Sequence, residues 1–120
     1  MLTERDIHQI VERVVQGYAP DLVGLFGSYA IGRSTQASDL DLLVIKRTAE
    51  PVHARVAAVR SQLVGVLHPM DIVVVTPEEF EARRREEYSF TWVVARQAKV
   101  LFRAQGVTLL ADAREWGRAG

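Results

Sequence analysis

Three short apolar segments restrict this chain to folds that contain a small β-sheet. They are Leu22–Phe26, Asp39–Ile45 and Asp71–Val75, and most of their residues are leucine, isoleucine or valine. Runs of this kind, bounded by glycine, proline or aspartate, favour buried strands. Longer segments with helical spacing lie between them. The pattern predicts an α/β (α+β) domain in which helices flank a small mixed β-sheet.

Start and stop signals predict where the helices begin and end. Thr3 is the expected N-cap of a first helix that ends at Gly17, and a second helix begins at Pro51. A third helical region begins at Thr76 and is broken near 86–89. The apolar residues of the first two helices recur at helical spacing: Ile7, Ile10, Val11, Val14 and Val15 in the first, and Val52, Val56, Val59, Leu63 and Val66 or Leu67 in the second.

The composition is that of one globular domain without cysteine chemistry. The chain has 120 residues, 48% of them hydrophobic, which suits a single hydrophobic core. The absence of cysteine excludes disulfides, thiolate zinc sites, Fe–S clusters and a cysteine nucleophile. Basic and acidic residues are equal in number, 15 of each, which argues against a protein that coats nucleic acid or anionic lipid.

The N-terminal residues Met1–Asp6 indicate where the protein resides. They carry charges where a signal peptide needs an apolar core, and no apolar run approaches the length of a membrane span. We therefore expect a cytoplasmic protein that does not contact a membrane.

Two aspartates on the central predicted strand carry the clearest chemical signal. Side chains alternate along a strand, so Asp39 and Asp41 point to one face while the intervening leucine points to the other. Adjacent carboxylates repel each other and are costly to desolvate, and a hard cation such as Mg²⁺ relieves both problems. Asp71 lies at the head of the next strand. If the two strands are neighbours, three carboxylates meet, as two-metal phosphoryl-transfer sites require.

Gly27 and Ser28, directly after the first strand, are suited to binding an anion. Glycine lets the backbone approach a ligand closely, and amides at the start of a following helix face an anion. The hydroxyl of Ser28 can donate a hydrogen bond to a phosphate oxygen. A metal site and an anion site together indicate a nucleoside triphosphate.

The runs Gly27–Gly32 and Ser38–Val44 resemble the minimal nucleotidyltransferases (MNT) of the DNA polymerase β-like superfamily. The signature of that superfamily is Gly-Ser, a spacer of similar length, Asp-x-Asp and a later Asp, here Asp71. Family members often carry an arginine where this chain has Ile31, so Arg33 is the candidate for the phosphate contact.

The resemblance covers about 21–102 and implies a polymerase β-like nucleotidyltransferase core within a single domain, 1–120. It implies a Mg²⁺-dependent enzyme that transfers a nucleoside monophosphate from a nucleoside triphosphate, ATP being the expected one, to an acceptor hydroxyl. The resemblance assigns roles to six residues. Asp39, Asp41 and Asp71 would be the ligands of two Mg²⁺ ions and the catalytic residues that act on the acceptor. Gly27, Ser28 and Arg33 would bind the nucleotide phosphates.

The resemblance also implies a partner, because such proteins are often encoded beside a helical HEPN-domain protein as a toxin–antitoxin pair. A HEPN partner that is nucleotidylated by this antitoxin is therefore the expected acceptor. Two alternatives stay open: an enzyme that acts on a small molecule or an RNA end, and a non-catalytic antitoxin that binds its toxin by contact alone.

Three further features of the sequence carry predictions. The tail, 103–120, carries Leu109, Leu110 and Trp116, is too short for an acceptor-binding domain, and is expected to contact the partner. Lys46 is a candidate phosphate ligand. For Tyr29, stacking on a nucleobase and packing in the core are both open.

Overall fold

The computed structural model describes residues 1–116, which form five helices and five strands. No helix among them combines the length and the apolar character needed to cross a membrane. In chain order the elements are α1 (Glu4–Tyr18), β1 (Leu22–Phe26), α2 (Gly27–Ala30), β2 (Leu40–Ile45), α3 (Val52–Ser61), β3 (Met70–Val75), α4 (Pro77–Arg83), α5 (Phe90–Gln97), β4 (Lys99–Arg103) and β5 (Arg114–Glu115).

A mixed sheet forms the centre of the domain. Its strand order is β3-β2-β1-β4-β5. Strand β1 pairs antiparallel with β2 and with β4, whereas the β2–β3 and β4–β5 pairs are parallel. The predicted architecture, a small mixed sheet flanked by helices, is therefore confirmed.

Helices cover both faces of this sheet. Helices α1 and α3 pack on one face with a cluster that includes Leu42 and Val44 of β2. Helices α4 and α5 contribute Phe80 and Val94 to a second cluster, which includes Leu43 of β2. Successive residues of β2 thus enter opposite halves of the core, as side-chain alternation requires. Burial on both faces makes β2 a rigid support for the residues at its end.

Helix α1 begins where the sequence predicts. The Thr3 hydroxyl accepts a hydrogen bond from the Asp6 N–H at 3.1 Å, and the Asp6 carboxylate accepts one from the Thr3 N–H at 2.8 Å. This reciprocal pair satisfies amides that the helix itself leaves free. The helix continues to Tyr18, one residue past the predicted end, because the left-handed residue that ends it is Ala19 (φ 52°).

The buried side of α3 differs from the prediction. Val52 and Leu67 are 53% and 94% exposed, whereas Val59 and Leu63 are buried. The expectation that Val52 belongs to the apolar face is therefore wrong, whereas of the alternatives Val66 and Leu67 it is Val66 that packs against the core. The physical reason is that a charged residue, Arg55, occupies part of the buried side of the helix.

Arg55 can be buried because the N–H groups of its guanidinium have hydrogen-bond acceptors. Its guanidinium donates to the two carboxylate oxygens of Glu79 at 2.8 and 3.2 Å, and its Nε donates to the carbonyl oxygen of Glu50 at 2.7 Å. Glu79 also completes the capping box with Thr76 that begins α4, as predicted. The ion pair therefore ties α3 to the first turn of α4.

We expect Glu79→Gln to lower the free energy of unfolding by about 2 kcal/mol at neutral pH, because it removes one partner of a largely buried ion pair. The hydrogen bond from Arg55 lowers the pKa of Glu79 below its ordinary value of 4.5. A lowered folded-state pKa stabilises the protein above pH 4.5, and this contribution is lost as the pH falls through the lowered pKa. Urea denaturation over that range should show a steeper loss of stability in the wild type than in the variant.

The neighbouring residue provides a matched control for this experiment. Glu78 pairs with Arg47, but both side chains are mostly exposed. Exposed pairs contribute about 0–1 kcal/mol, so Glu78→Gln should leave both the stability and its pH dependence nearly unchanged. Equal pH dependence in wild type and Glu79→Gln would contradict the assignment.

The C-terminal segment packs on its own domain. Leu110 is only 5% exposed and belongs to the second core cluster. The ring of Trp116 stacks on His8 of α1, with ring centroids 4.2 Å apart. The expectation of a partner contact is therefore wrong for Leu110, because the core of its own domain covers it. For Leu109 and Trp116, which are only half-buried, it stays a prediction. The remainder of the predicted tail, 117–120, lies outside the described residues.

Strand β5 also connects this tail to α2. The Arg114 guanidinium donates to the carbonyl oxygen of Ala30, the last residue of α2, at 3.1 Å. Cations at a helix C-terminus satisfy carbonyls that have no partner in the helix. The tail thus supports the short helix that begins at Gly27.

Candidate active site

Two of the predicted acidic residues lie side by side at one end of the sheet. Strands β2 and β3 run parallel, and Asp41 is in register with Asp71. Asp39 immediately precedes β2 and is exposed, whereas Asp41 is half-buried. Paired positions on neighbouring strands share a face of the sheet. The sequence predicts this meeting only if the two strands are neighbours, and the structure shows that they are.

Burial and neighbouring carboxylates both disfavour the ionised form of Asp41. Burial raises the pKa of Asp41 above 3.8, and the carboxylates of Asp71 and Asp39 raise that pKa further. Both causes penalise the ionised form of Asp41. The same repulsion makes the position favourable for a cation, which would reverse the sign of the local field.

Gly27 brings the predicted phosphate-binding turn into contact with the acidic group. Its φ angle is +70°, a left-handed conformation that favours glycine. A Cβ atom at this position would overlap the carboxylate of Asp41. Phe26, just before it, is paired with Asp41 across β1 and β2. Glycine is therefore required here for two reasons, its backbone angle and its lack of a side chain.

Ser28 and Arg33 lie next to Gly27, in α2 and in the loop that follows. Ser28 is half-buried, and its carbonyl oxygen accepts a hydrogen bond from the Arg33 N–H at 2.9 Å. Arg33 and Ile31 are both exposed. The N-cap residue of α2, Phe26, makes no side-chain hydrogen bond to the first turn, so it does not occupy the amides after Gly27 that an anion would use.

Gln97 contacts the Gly27 turn, although the sequence gives no sign that this residue belongs to the site. Its Oε1 accepts a hydrogen bond from the Gly27 N–H at 3.2 Å, across 70 positions of the chain. Gln97 is the last residue of α5, and nothing in its neighbours marks it as part of a site. Only the packing of α5 beside α2 reveals the contact.

Tyr29 packs in the protein. Its hydroxyl oxygen accepts a hydrogen bond from the Leu2 N–H at 3.1 Å, and its ring meets the ring of His68 edge to face. It also packs against the first core cluster. Of the two open interpretations of Tyr29, the structure supports packing in the core.

The prediction of Lys46 as a phosphate ligand is wrong. Its ammonium donates to the carbonyl oxygens of Tyr18 and Ala19, at 2.6 and 3.0 Å, and so caps the C-terminus of α1. Lys46 follows the last residue of β2, whereas Asp41 lies near the first. At about 3.3 Å per residue the two positions are roughly 16 Å apart.

The acidic group has the donor chemistry for a divalent cation. Within residues 1–116, no three acidic, histidine or cysteine side chains are already arranged to hold a metal ion. Carboxylate oxygens are nevertheless the donors that Mg²⁺ prefers, and burial together with the charges of Asp71 and Asp39 raises the pKa of Asp41, so that a bound cation would favour its ionised form. The residues present therefore fit a cation that draws Asp39, Asp41 and Asp71 towards it.

Comparison with protein families identifies the domain. A family model described as nucleotidyltransferase domain matches residues 7–99, which include every predicted site residue. No curated protein sequence matches the chain.

Solved structures resemble this chain at low sequence identity. A protein from Sulfolobus solfataricus described as a nucleotidyltransferase is 21% identical, with 83% of this chain and 79% of that chain covered and a TM-score of 0.60. A toxin–antitoxin solved with AMP-PNP is 22% identical, covering 82% and 74% of the two chains, with a TM-score of 0.54. The toxin–antitoxin MntA-HpeT is 26% identical, covering 88% and 76%, with a TM-score of 0.49.

Proposed function

Because this chain belongs to the nucleotidyltransferase domain family, we propose that it transfers a nucleoside monophosphate from a nucleoside triphosphate to a hydroxyl group of a partner protein. The observation that carries this proposal is the juxtaposition of Asp41, Asp71 and Gly27. Two carboxylates stand in register on neighbouring strands, and the turn that would seat the phosphates touches one of them.

Asp39, Asp41 and Asp71 are the residues that would hold Mg²⁺. When bound, the metal supplies positive charge that neutralises the triphosphate and orients it for in-line attack. Burial of β2 on both faces keeps Asp41 in place, because moving it would disturb the core. Asp39 and Asp71 are exposed and can adjust to the ligand.

The phosphates would be seated by the turn at the start of α2. Gly27 allows close approach of the backbone, the following amides face the anion, and the Ser28 hydroxyl donates to a phosphate oxygen. Arg33, exposed just beyond Gly32, supplies the cationic contact that family members often obtain from the position of Ile31. These groups bind and orient the nucleotide without taking part in proton transfer.

Asp71 is the residue we assign to the acceptor. In the transfer, the acceptor oxygen forms a bond to the α-phosphorus while the bond to the bridging oxygen of the β-phosphate breaks, releasing pyrophosphate. The acceptor proton passes to the Asp71 carboxylate. Asp71 suits this task because it is the more exposed member of the in-register pair.

The proposed acceptor is a HEPN-domain partner, which would make this protein the antitoxin of a HEPN/MNT pair. Two observations support a protein acceptor. One similar fold occurs in a toxin–antitoxin solved with AMP-PNP, an adenine nucleotide, which also supports ATP as the donor. In addition, the described residues are taken up by the sheet and its covering helices, which leaves no separate layer for binding an acceptor.

The proposal is tested by incubating the protein with Mg²⁺, each nucleoside triphosphate in turn, and the product of the neighbouring open reading frame. Intact-mass spectrometry should show one added nucleoside monophosphate on the neighbour, and Asp39→Asn should abolish the addition. If the neighbour binds tightly but never gains mass, the protein is a contact-only antitoxin. Modification of an added small molecule or RNA end instead would identify a different acceptor.

A further inference from the structure

The side chain of Gln97 is held at the Gly27 turn in one defined orientation. A backbone N–H can only donate, so the Gln97 atom that faces Gly27 at 3.2 Å must be the carbonyl Oε1. The amide group is thereby fixed with its oxygen on the turn. This is a long-range contact between the end of α5 and the start of α2.

The position of Gln97 is set by a rigid part of the fold. On α5, Val94 is fully packed in the second core cluster, and the ring of Phe90 meets the ring of Phe26 edge to face with centroids 5.6 Å apart. Ala98, the next residue, is buried and leads directly into β4, which pairs with β1. The glutamine is therefore anchored from both sides along the chain.

Gly27 stands between Gln97 and the acidic group. Its N–H is bonded to Gln97, and its Cα faces the Asp41 carboxylate so closely that no Cβ would fit. Because glycine is the most flexible residue of a chain, its left-handed φ of +70° needs external support to persist. Gln97 is the side chain that supplies a hydrogen bond to this peptide group.

We propose that Gln97 is a positioning residue for nucleotide binding: it holds the Gly27 peptide so that the following amides keep the geometry that the triphosphate requires. The proposal rests on the proposed function. Gln97 acts through Gly27 and not on the reacting atoms. Its loss should therefore weaken nucleotide binding and leave the rate of transfer at saturating nucleotide nearly unchanged.

The first test needs no nucleotide and measures amide hydrogen exchange by NMR. Gln97→Met keeps the length of the side chain but removes the acceptor, so the Gly27 amide should exchange about tenfold faster, while that of Gly24 in β1 stays as in the wild type. Gln97→Glu keeps an acceptor and should preserve the protection of Gly27. Gln16→Met, the same change at an exposed site on α1, is the matched control. Unchanged Gly27 exchange in Gln97→Met would overturn the proposal.

The second test measures the affinity for Mg²⁺–ATP by titration calorimetry and the rate of transfer to the partner at saturating ATP. Gln97→Met should raise the Kd about three- to tenfold with a transfer rate within about twofold of the wild type, and Gln16→Met should change neither. A variant with a lowered melting temperature but wild-type Kd would make Gln97 merely structural and overturn the proposal.

The two tests also separate this inference from the proposed function. If the wild type binds none of the four nucleoside triphosphates, the proposed function is wrong. The exchange measurement still decides whether Gln97 holds the Gly27 turn. If the wild type binds ATP and only the Gln97 expectations fail, the proposed function stands and the positioning role is rejected.

Discussion

Replacing Asp41 by asparagine should abolish nucleotide transfer and at the same time stabilise the metal-free protein. The loss of transfer should be at least about 1,000-fold, because a ligand that holds the cation on the triphosphate contributes several kcal/mol to the transition state. Mg²⁺ should raise the melting temperature of the wild type and leave that of the variant unchanged.

The gain in stability follows from the pKa of Asp41, which burial and the carboxylates of Asp71 and Asp39 raise above 3.8. A carboxyl group whose folded-state pKa is raised lowers stability progressively as the pH rises from 3.8 to the raised pKa, and the full loss persists above it, because the unfolded state gives up the proton more easily. The melting temperature of the variant in EDTA should therefore exceed that of the wild type at neutral pH, and the difference should vanish below pH 3.8. A lower melting temperature at neutral pH would instead show that Asp41 has a structural role.

Replacing Gly27 by alanine should be the most damaging change at the turn. The substitution forces a non-glycine residue into a φ of +70° and drives its Cβ into the Asp41 carboxylate. The backbone strain costs about 1–2 kcal/mol, and displacement of Asp41 adds to it. We expect a loss of about 2–4 kcal/mol in the free energy of unfolding, measured by urea denaturation, together with loss of transfer.

The substitution Gly32→Ala separates the backbone strain from the steric overlap with Asp41. It has a similar φ of +75°, but a Cβ there would meet no atom within 4 Å. Gly32→Ala should therefore show the strain alone, about 1–2 kcal/mol. In an Asp41→Ala background, the cost of Gly27→Ala should fall towards that of Gly32→Ala, because the overlapping carboxylate is gone and only the Cβ of residue 41 remains, 3.3 Å from the new methyl group. A cost of Gly27→Ala that does not depend on residue 41 would exclude the steric explanation.

Local patterns in the sequence predict the elements that carry the site. The strand Leu22–Phe26 is predicted with the bounds that the structure shows, and the capping boxes at Thr3 and Thr76 begin their helices where expected. These features are predictable because their causes lie within a few residues: side-chain alternation, helical spacing and hydroxyl caps. The Asp-x-Asp pair at the start of β2 can be recognised in the sequence for the same reason.

Contacts between distant segments require the tertiary structure. The chain alone cannot show that Asp71 stands in register with Asp41, that Arg55 is buried by Glu79, or that Gln97 holds Gly27. Each depends on which strands pair and on how helices cover the sheet, and these are decided by the burial of the whole core. The prediction for Lys46 is wrong for the same reason. Its ammonium donates to carbonyl oxygens at the C-terminus of α1, at the end of β2 that is far from Asp41. The sequence by itself therefore determined which groups can perform chemistry, and the packing of the sheet decided which of them meet.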